Sequence, residues 1–73
     1  MKEQELDKYV DKVVRLTDTD NDTHEGKFYK IIDGKFRVNG LEQIACINKG
    51  YVLDKSYCWY NLRKSHIKKI EEI

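Results

Sequence analysis

The chain is predicted to be mainly β: a small, strongly bent five-stranded barrel with a short N-terminal α-helix. Three observations predict this. After residue 12, apolar and polar residues alternate at period two over most of the chain. Clusters of Asp, Asn and Gly break that alternation at short intervals, and there is no proline. Only the first stretch shows helical spacing. Five short strands are too few for a sandwich, and curling the sheet removes the exposed edges that a flat one would leave.

The helix is expected over residues 2–11, where Leu6, Tyr9, Val10 and Val13 fall at i, i+3, i+4 and i+7 among good helix formers. Acidic side chains crowd its start and complement the helix dipole. So short a helix must pack its apolar face on something to persist. The barrel is expected over residues 12–73. Lys12 to Thr17 reads as the first strand, with Val14 and Leu16 pointing one way and Val13, Arg15 and Thr17 the other. The polar turn Asp18–Asp22 follows.

His24 to Ile32 reads as the second strand, and Gly26 within it marks a bend or a close backbone approach. Asp33-Gly34-Lys35 is a turn or bulge signal, Phe36-Arg37-Val38 resumes the alternation, and Asn39-Gly40 is the strongest hairpin signal in the chain. Leu41 to Ile47 reads as a third strand, or a pair of strands. Its continuous run Ile44-Ala45-Cys46-Ile47 suggests cover on both faces. Asn48-Lys49-Gly50 ends it, and residues 51–55 read as a loop or an irregular strand extension. Ser56 to Leu62 is the fourth strand, with Tyr57 and Trp59 on one face and Cys58, Tyr60 and Leu62 on the other. A tight turn over Arg63–His66 leads to the fifth, Ile67 to Ile73.

The 73 residues make a single domain, close to the lower size limit for a self-sufficient core. A 40% hydrophobic and 37% charged composition describes a compact core with a well-solvated outside, not a disordered chain. So small a core leaves a thin stability margin, which oligomerisation would widen. No apolar run is long enough for a membrane-spanning helix. The polar segment Met1–Glu5 does not read as a secretory signal. A cytoplasmic location is therefore expected, with Cys46 and Cys58 as buried free thiols.

Net charge is only +1, but it is unevenly spread. Residues 1–26 carry four basic and eight acidic side chains; residues 27–70 carry ten basic and three acidic. A basic body beside an acidic N-terminal quarter fits a nucleic-acid surface. It fits equally a contact between unlike faces of neighbouring subunits, or an ordinary solvated surface.

The residues Leu62-Arg63-Lys64-Ser65-His66-Ile67-Lys68-Lys69-Ile70 carry a resemblance. Their spacing is similar to the second motif of the Sm/LSm family: an apolar residue, Arg-Gly, two variable residues, Ile, two more, Ile. Lys64 stands where Gly is usual. Val14-Arg15-Leu16, Asp18, Gly26 and Phe28 resemble the opening of the first motif, with a turn about two residues longer. The family's base-holding loop, Asp-x-x-Met-Asn, has a counterpart in Asp33-Gly34-Lys35-Phe36-Arg37, with Arg37 in place of the Asn and Asn39 out of register. The ending also resembles short Sm-like proteins of bacteria and their phages.

The resemblance implies an Sm-like barrel that binds RNA or another nucleic acid, and that assembles as a homo-oligomer by pairing the fourth strand of one subunit with the fifth of the next. It places Arg37, Arg63, Lys64, His66 and Asp33 on one loop face as the nucleic-acid-binding residues. Arg can stack on a base or contact phosphate. Tyr57, Trp59 and Tyr60 are candidate stacking platforms and, with Lys68, candidate interface residues. Core packing or subunit contact is the plain alternative for Trp59 and Tyr60. On an edge strand, Lys68 and Lys69 would also discourage wrong pairing. The alternative function is a protein-interaction module, an adaptor or inhibitor of possible phage derivation, that uses exposed edge strands and aromatics.

No catalytic constellation is read from the sequence, and no cofactor or metal site. Asp18, Asp20 and Asp22 echo the start of a calcium loop, but Thr23 stands where Gly must turn and Tyr29 where a bidentate Glu would close the site. His24, Cys46, Cys58 and His66 lack the short spacings of a zinc site. Cys58 with His66 makes a poor nucleophile pair, since nothing evident orients the imidazole.

Overall fold

The computed structural model describes all 73 residues, Met1–Ile73. Its elements in order are α1 (Glu3–Asp7), β1 (Val13–Asp18), β2 (Thr23–Ile31), β3 (Lys35–Val38), β4 (Leu41–Ile44), β5 (Gly50–Asp54), β6 (Trp59–Leu62), a single 3-10 turn (Lys64–His66) and β7 (Ile67–Glu72). Five strands form an antiparallel sheet in the order β6-β5-β2-β1-β7, and β3 and β4 form a separate two-stranded ribbon.

The chain forces this sheet to curl. Its two edges, β6 and β7, are consecutive in sequence, and only Arg63–His66 joins them. Five Cα steps separate Leu62 from Ile67, at most ~18 Å of extended chain, and the 3-10 turn shortens that reach. Five flat strands would hold their edges ~19 Å apart. No ladder joins β6 to β7, so the curled sheet does not close through backbone pairing. The architecture shown is thus mainly β, with one short helix.

The hollow of the curl holds the main core: Leu6 of α1, Val14 and Leu16 of β1, Phe28 of β2, Tyr51 and Leu53 of β5, Leu62, Ile67 and Ile70. Phe28 and Tyr51 stack with ring centres 4.8 Å apart. Each such side chain contributes roughly 1.5–3 kcal/mol by leaving water. Val14 and Leu16 face inward as their alternation predicts. Two glycines permit the tight turns of the sheet. A Cβ on Gly26 would collide with the Asp54 carbonyl, and one on Gly50 with the Leu62 carbonyl.

The helix is shorter than predicted. It spans Glu3–Asp7, not residues 2–11, and continues as turns to Asp11, whose φ of 69° ends helical geometry. The Asp11 N–H donates to the Phe28 carbonyl at 2.7 Å, which recruits this segment to β2. Leu6, Tyr9 and Val10 do pack on the core. Val13, the fourth member of the expected apolar face, belongs to β1 and is exposed.

The predicted third strand needs the largest correction. Leu41–Ile44 is not part of the main sheet; it pairs only with Lys35–Val38. The turns at either end of β3 explain this. Asp33-Gly34 and Asn39-Gly40 all have positive φ, the conformation of tight two-residue hairpins. They fold β3 and β4 back over the outer face of the sheet. There Phe36, with Val38, Ala45 and Ile47 beside it, covers Tyr29, Ile31 and Val52 in a second small core.

The run 44–47 is therefore covered on one face alone. Ala45 and Ile47 pack inward, while Ile44, 83% exposed, and Cys46 face solvent. The strand that is buried on both faces is β5, in the region predicted as a loop or an irregular strand extension: Tyr51 and Leu53 enter the main core and Val52 the second. The fourth predicted strand shortens to Trp59–Leu62, which leaves Tyr57 and Cys58 in the preceding turn. Both cysteines are free and exposed, contrary to the expected burial, because neither lies on an inward strand position.

Candidate functional site: a cationic cleft at the mouth of the curled sheet

Strands β2, β5 and β6 bring the ends of three segments to one mouth of the curl. β2 delivers Lys30, the lead-in to β5 delivers Asn48 and Lys49, and the link after β6 delivers Arg63, Lys64 and Ser65. They line a cleft of about 690 Å³ with Tyr51 and Ile31 in its floor. Lys49, Arg63 and Lys64 make no ion pair. The β5–β6 register, which sets Tyr51 opposite Leu62, is what places Arg63 and Lys64 here.

Lys30 is different. It shares the inward parity of Phe28 on β2, and at the mouth it meets α1. Its ammonium lies 2.8 Å from Glu3 Oε2 and 2.9 Å from Asp7 Oδ2. These partners raise the Lys30 pKa, with the Glu3 hydrogen bond foremost. The Glu3 pKa is lowered, chiefly by the hydrogen bond and charge of Lys30, with the charge of Lys64 adding a smaller part. The Asp7 carboxylate also accepts a hydrogen bond from the Tyr51 hydroxyl at 2.9 Å. Burial alone would raise the Asp7 pKa, but the bonds from Lys30 and Tyr51 bring it below the usual range.

Of the predicted nucleic-acid residues, Arg63 and Lys64 line this cleft. Arg37 and Asp33 line a neighbouring groove with Lys35 and Glu42, and the two hollows share Lys30 and Ile32. Asp33 is the first residue of a tight turn. Exposed His66 lines neither hollow, and its carbonyl accepts the Thr19 N–H. Sequence reasoning missed Lys30 and Lys49. Lys30 alternates as an ordinary polar strand position, and Lys49 comes beside Arg63 only through the β5–β6 register, in which Tyr51 faces Leu62.

The predicted interface residues are scattered. Tyr57 is 79% exposed beside Lys55. Trp59 is half-exposed, and its ring stands perpendicular to that of Phe36 with centres 5.3 Å apart, which ties β6 to the β3–β4 ribbon. Tyr60 is half-buried against His24. Lys68 donates to the Asn21 side chain at 2.6 Å.

A second polar cluster lies at the β1–β2 turn. Buried Asp18 accepts the N–H groups of Asp20 and Asp22 through Oδ1 at 2.9 and 3.0 Å, and Oδ2 meets His24 Nε2 at 2.9 Å. Lys55 Nζ lies 2.9 Å from His24 Nδ1. A lysine ammonium only donates, so the ring proton sits on Nε2 and is given to Asp18. The His24 bond, aided by the two backbone N–H groups, lowers the Asp18 pKa. Both carboxylate oxygens are thereby engaged within the turn, which is a structural clasp. No three His, Cys, Asp or Glu side chains gather as a metal site, and no helix is long and apolar enough to cross a membrane.

Comparison with protein-family models, curated proteins and solved structures finds no match.

Proposed function

We propose that the protein is a non-enzymatic module that binds RNA or another nucleic acid through the cationic cleft. The observation that carries this reading is the convergence of Lys49, Arg63 and Lys64 on one cleft with no carboxylate paired to any of them. Cations without internal partners are available to phosphates, which supply most of the affinity in such complexes. The Asn48 amide and the Ser65 hydroxyl add hydrogen-bonding capacity beside them.

The Sm-like resemblance of Leu62–Ile70 supports the same reading, since its Arg63-Lys64 pair falls in the cleft. A curled sheet whose last two strands are its unpaired edges is consistent with an Sm-like barrel, and with homo-oligomers formed by edge pairing. Titration of a labelled uridine-rich oligonucleotide at low and moderate salt tests the proposal. Arg63→Ala with Lys64→Ala is expected to weaken binding at least severalfold and to flatten its salt dependence. Wild-type-like binding by that double variant rejects the cleft as the site.

The protein-interaction reading rests on a different observation. Ile44 and Tyr57 are the most exposed large apolar side chains, and both lie beside unpaired strand edges. Light scattering distinguishes a ring, a dimer and a monomer, and a strict monomer removes the oligomeric part of the proposal.

A further inference from the structure

The acidic start of the chain lies against the basic cleft at a defined point. Glu3 lines the cleft, pairs with Lys30 at 2.8 Å and feels the charge of Lys64. Its side chain is 54% exposed, so water and solutes reach the pair. Asp7, the other partner of Lys30, is held differently. It is fixed to Tyr51 from within the fold, and Leu6 beside it is fully buried. One carboxylate is thus built into the fold, and the other is an exposed group on the first residue of a five-residue helix.

We infer that Glu3 is a displaceable internal competitor: its carboxylate occupies the position beside Lys30 and Lys64 that a phosphate of the bound strand takes. This deepens the nucleic-acid reading and rests on it. An incoming phosphate exchanges with Glu3 at Lys30, while Asp7 and Tyr51 keep the helix seated. Free protein therefore presents three unpaired cations, and bound protein uses four. The exchange makes binding weaker and less salt-sensitive than the cleft allows, and it favours a polyanion over a single anion. One phosphate displaces Glu3 for a single ion pair, whereas a strand also gains Lys49, Arg63 and Lys64.

The test compares wild type with Glu3→Gln, Glu5→Gln and Lys30→Met, and with the Glu3→Gln/Lys30→Met double variant. The ligand is the uridine-rich oligonucleotide over a salt series. Glu5 is an exposed acid on the same helix that does not line the cleft, so it measures the general effect of losing one negative charge.

Glu3→Gln is expected to tighten binding about two- to fivefold and to steepen the salt slope by up to ~0.7. Glu5→Gln should change little, and the Glu3→Gln gain should vanish in the Lys30→Met background. Equal gains from Glu3→Gln and Glu5→Gln, or a gain that survives Lys30→Met, overturn the competitor while leaving the cleft intact. Absence of binding by every variant, Glu3→Gln included, overturns the nucleic-acid reading and the competitor with it.

Discussion

The Tyr51 hydroxyl donates to the Asp7 carboxylate across 2.9 Å and so joins the second strand of the curled sheet's order to the helix at its mouth. The tyrosine is buried, its ring stacks on Phe28, and its polar tip reaches the one place where the core meets the acidic helix. Lys30, directly opposite Tyr51 in the β2–β5 ladder, binds the same carboxylate. Helix, core and cleft thus meet at three side chains.

Tyr51→Phe removes one hydrogen bond and keeps the stack. Asp7 retains Lys30 and access to water, so the loss is expected to be about 1 kcal/mol. Tyr51→Ala also forfeits the ring and is expected to cost ~3–5 kcal/mol. Urea denaturation checks both, and an unchanged midpoint in Tyr51→Phe would show that the bond contributes nothing.

Stability is expected to form a plateau between acid and alkaline limbs. Asp18 is lowered, first by His24, and Asp7 is lowered against its own burial by Lys30 and Tyr51. Depressed carboxylates stabilise fully above their unfolded pKa of about 3.9 and lose that contribution as pH falls through the folded value. Burial, and then the Asp7 hydrogen bond, raise Tyr51. Its contribution is complete below its unfolded pKa of about 10 and is lost as pH rises beyond it. Melting temperature measured against pH should show both limbs. Asp18→Asn should lie below wild type at neutral pH and converge with it in acid, and Tyr51→Phe should flatten the alkaline limb.

Gly26→Ala places a methyl group against the Asp54 backbone, where no flexible side chain can give way. The expected cost is ~1–3 kcal/mol or more, since β2 and β5 must separate. Gly40→Ala meets no neighbouring atom, so only its positive φ opposes the substitution. A smaller loss at Gly40 than at Gly26, by thermal melting, checks the distinction.

Phe36→Ala empties the second core and is expected to cost ~3–5 kcal/mol. It also removes the ring to which the Trp59 ring stands perpendicular. Trp59 is the only tryptophan, so its emission should shift to the red in the folded variant. Unchanged emission would mean that Phe36 does not shelter it.

Several elements were legible in the sequence because their signals were local. Alternation placed Val14 and Leu16 inward, and Asn39-Gly40 marked a hairpin whose φ values match. Gly26 marked a close approach, and the Asp18–Asp22 turn fell where its composition put it. Tyr51-Val52-Leu53 was not legible as a central strand. Three apolar residues between Gly50 and Asp54 look like a loop or an irregular strand extension until two separate cores claim its opposite faces. Ile44–Ile47 misled in the opposite sense. Four apolar residues in a row conceal which two face solvent.

The same division holds for the cleft. By itself the sequence determined a small mainly β domain, its turns, and the uneven spread of charge between an acidic start and a basic body. It singled out Arg63 and Lys64 through their place in a family-like pattern. The tertiary structure alone decided which cations share a space and which are already neutralised. Lys30 and Lys49 join Arg63 because the β2–β5–β6 ladder sets Lys30 opposite Tyr51 and Tyr51 opposite Leu62, and Glu3 reaches Lys30 because Leu6 anchors the helix in the core. The physical reason is range. Turn and strand preferences act over a few neighbouring residues, whereas an ion pair depends on distances fixed only when the whole sheet has curled.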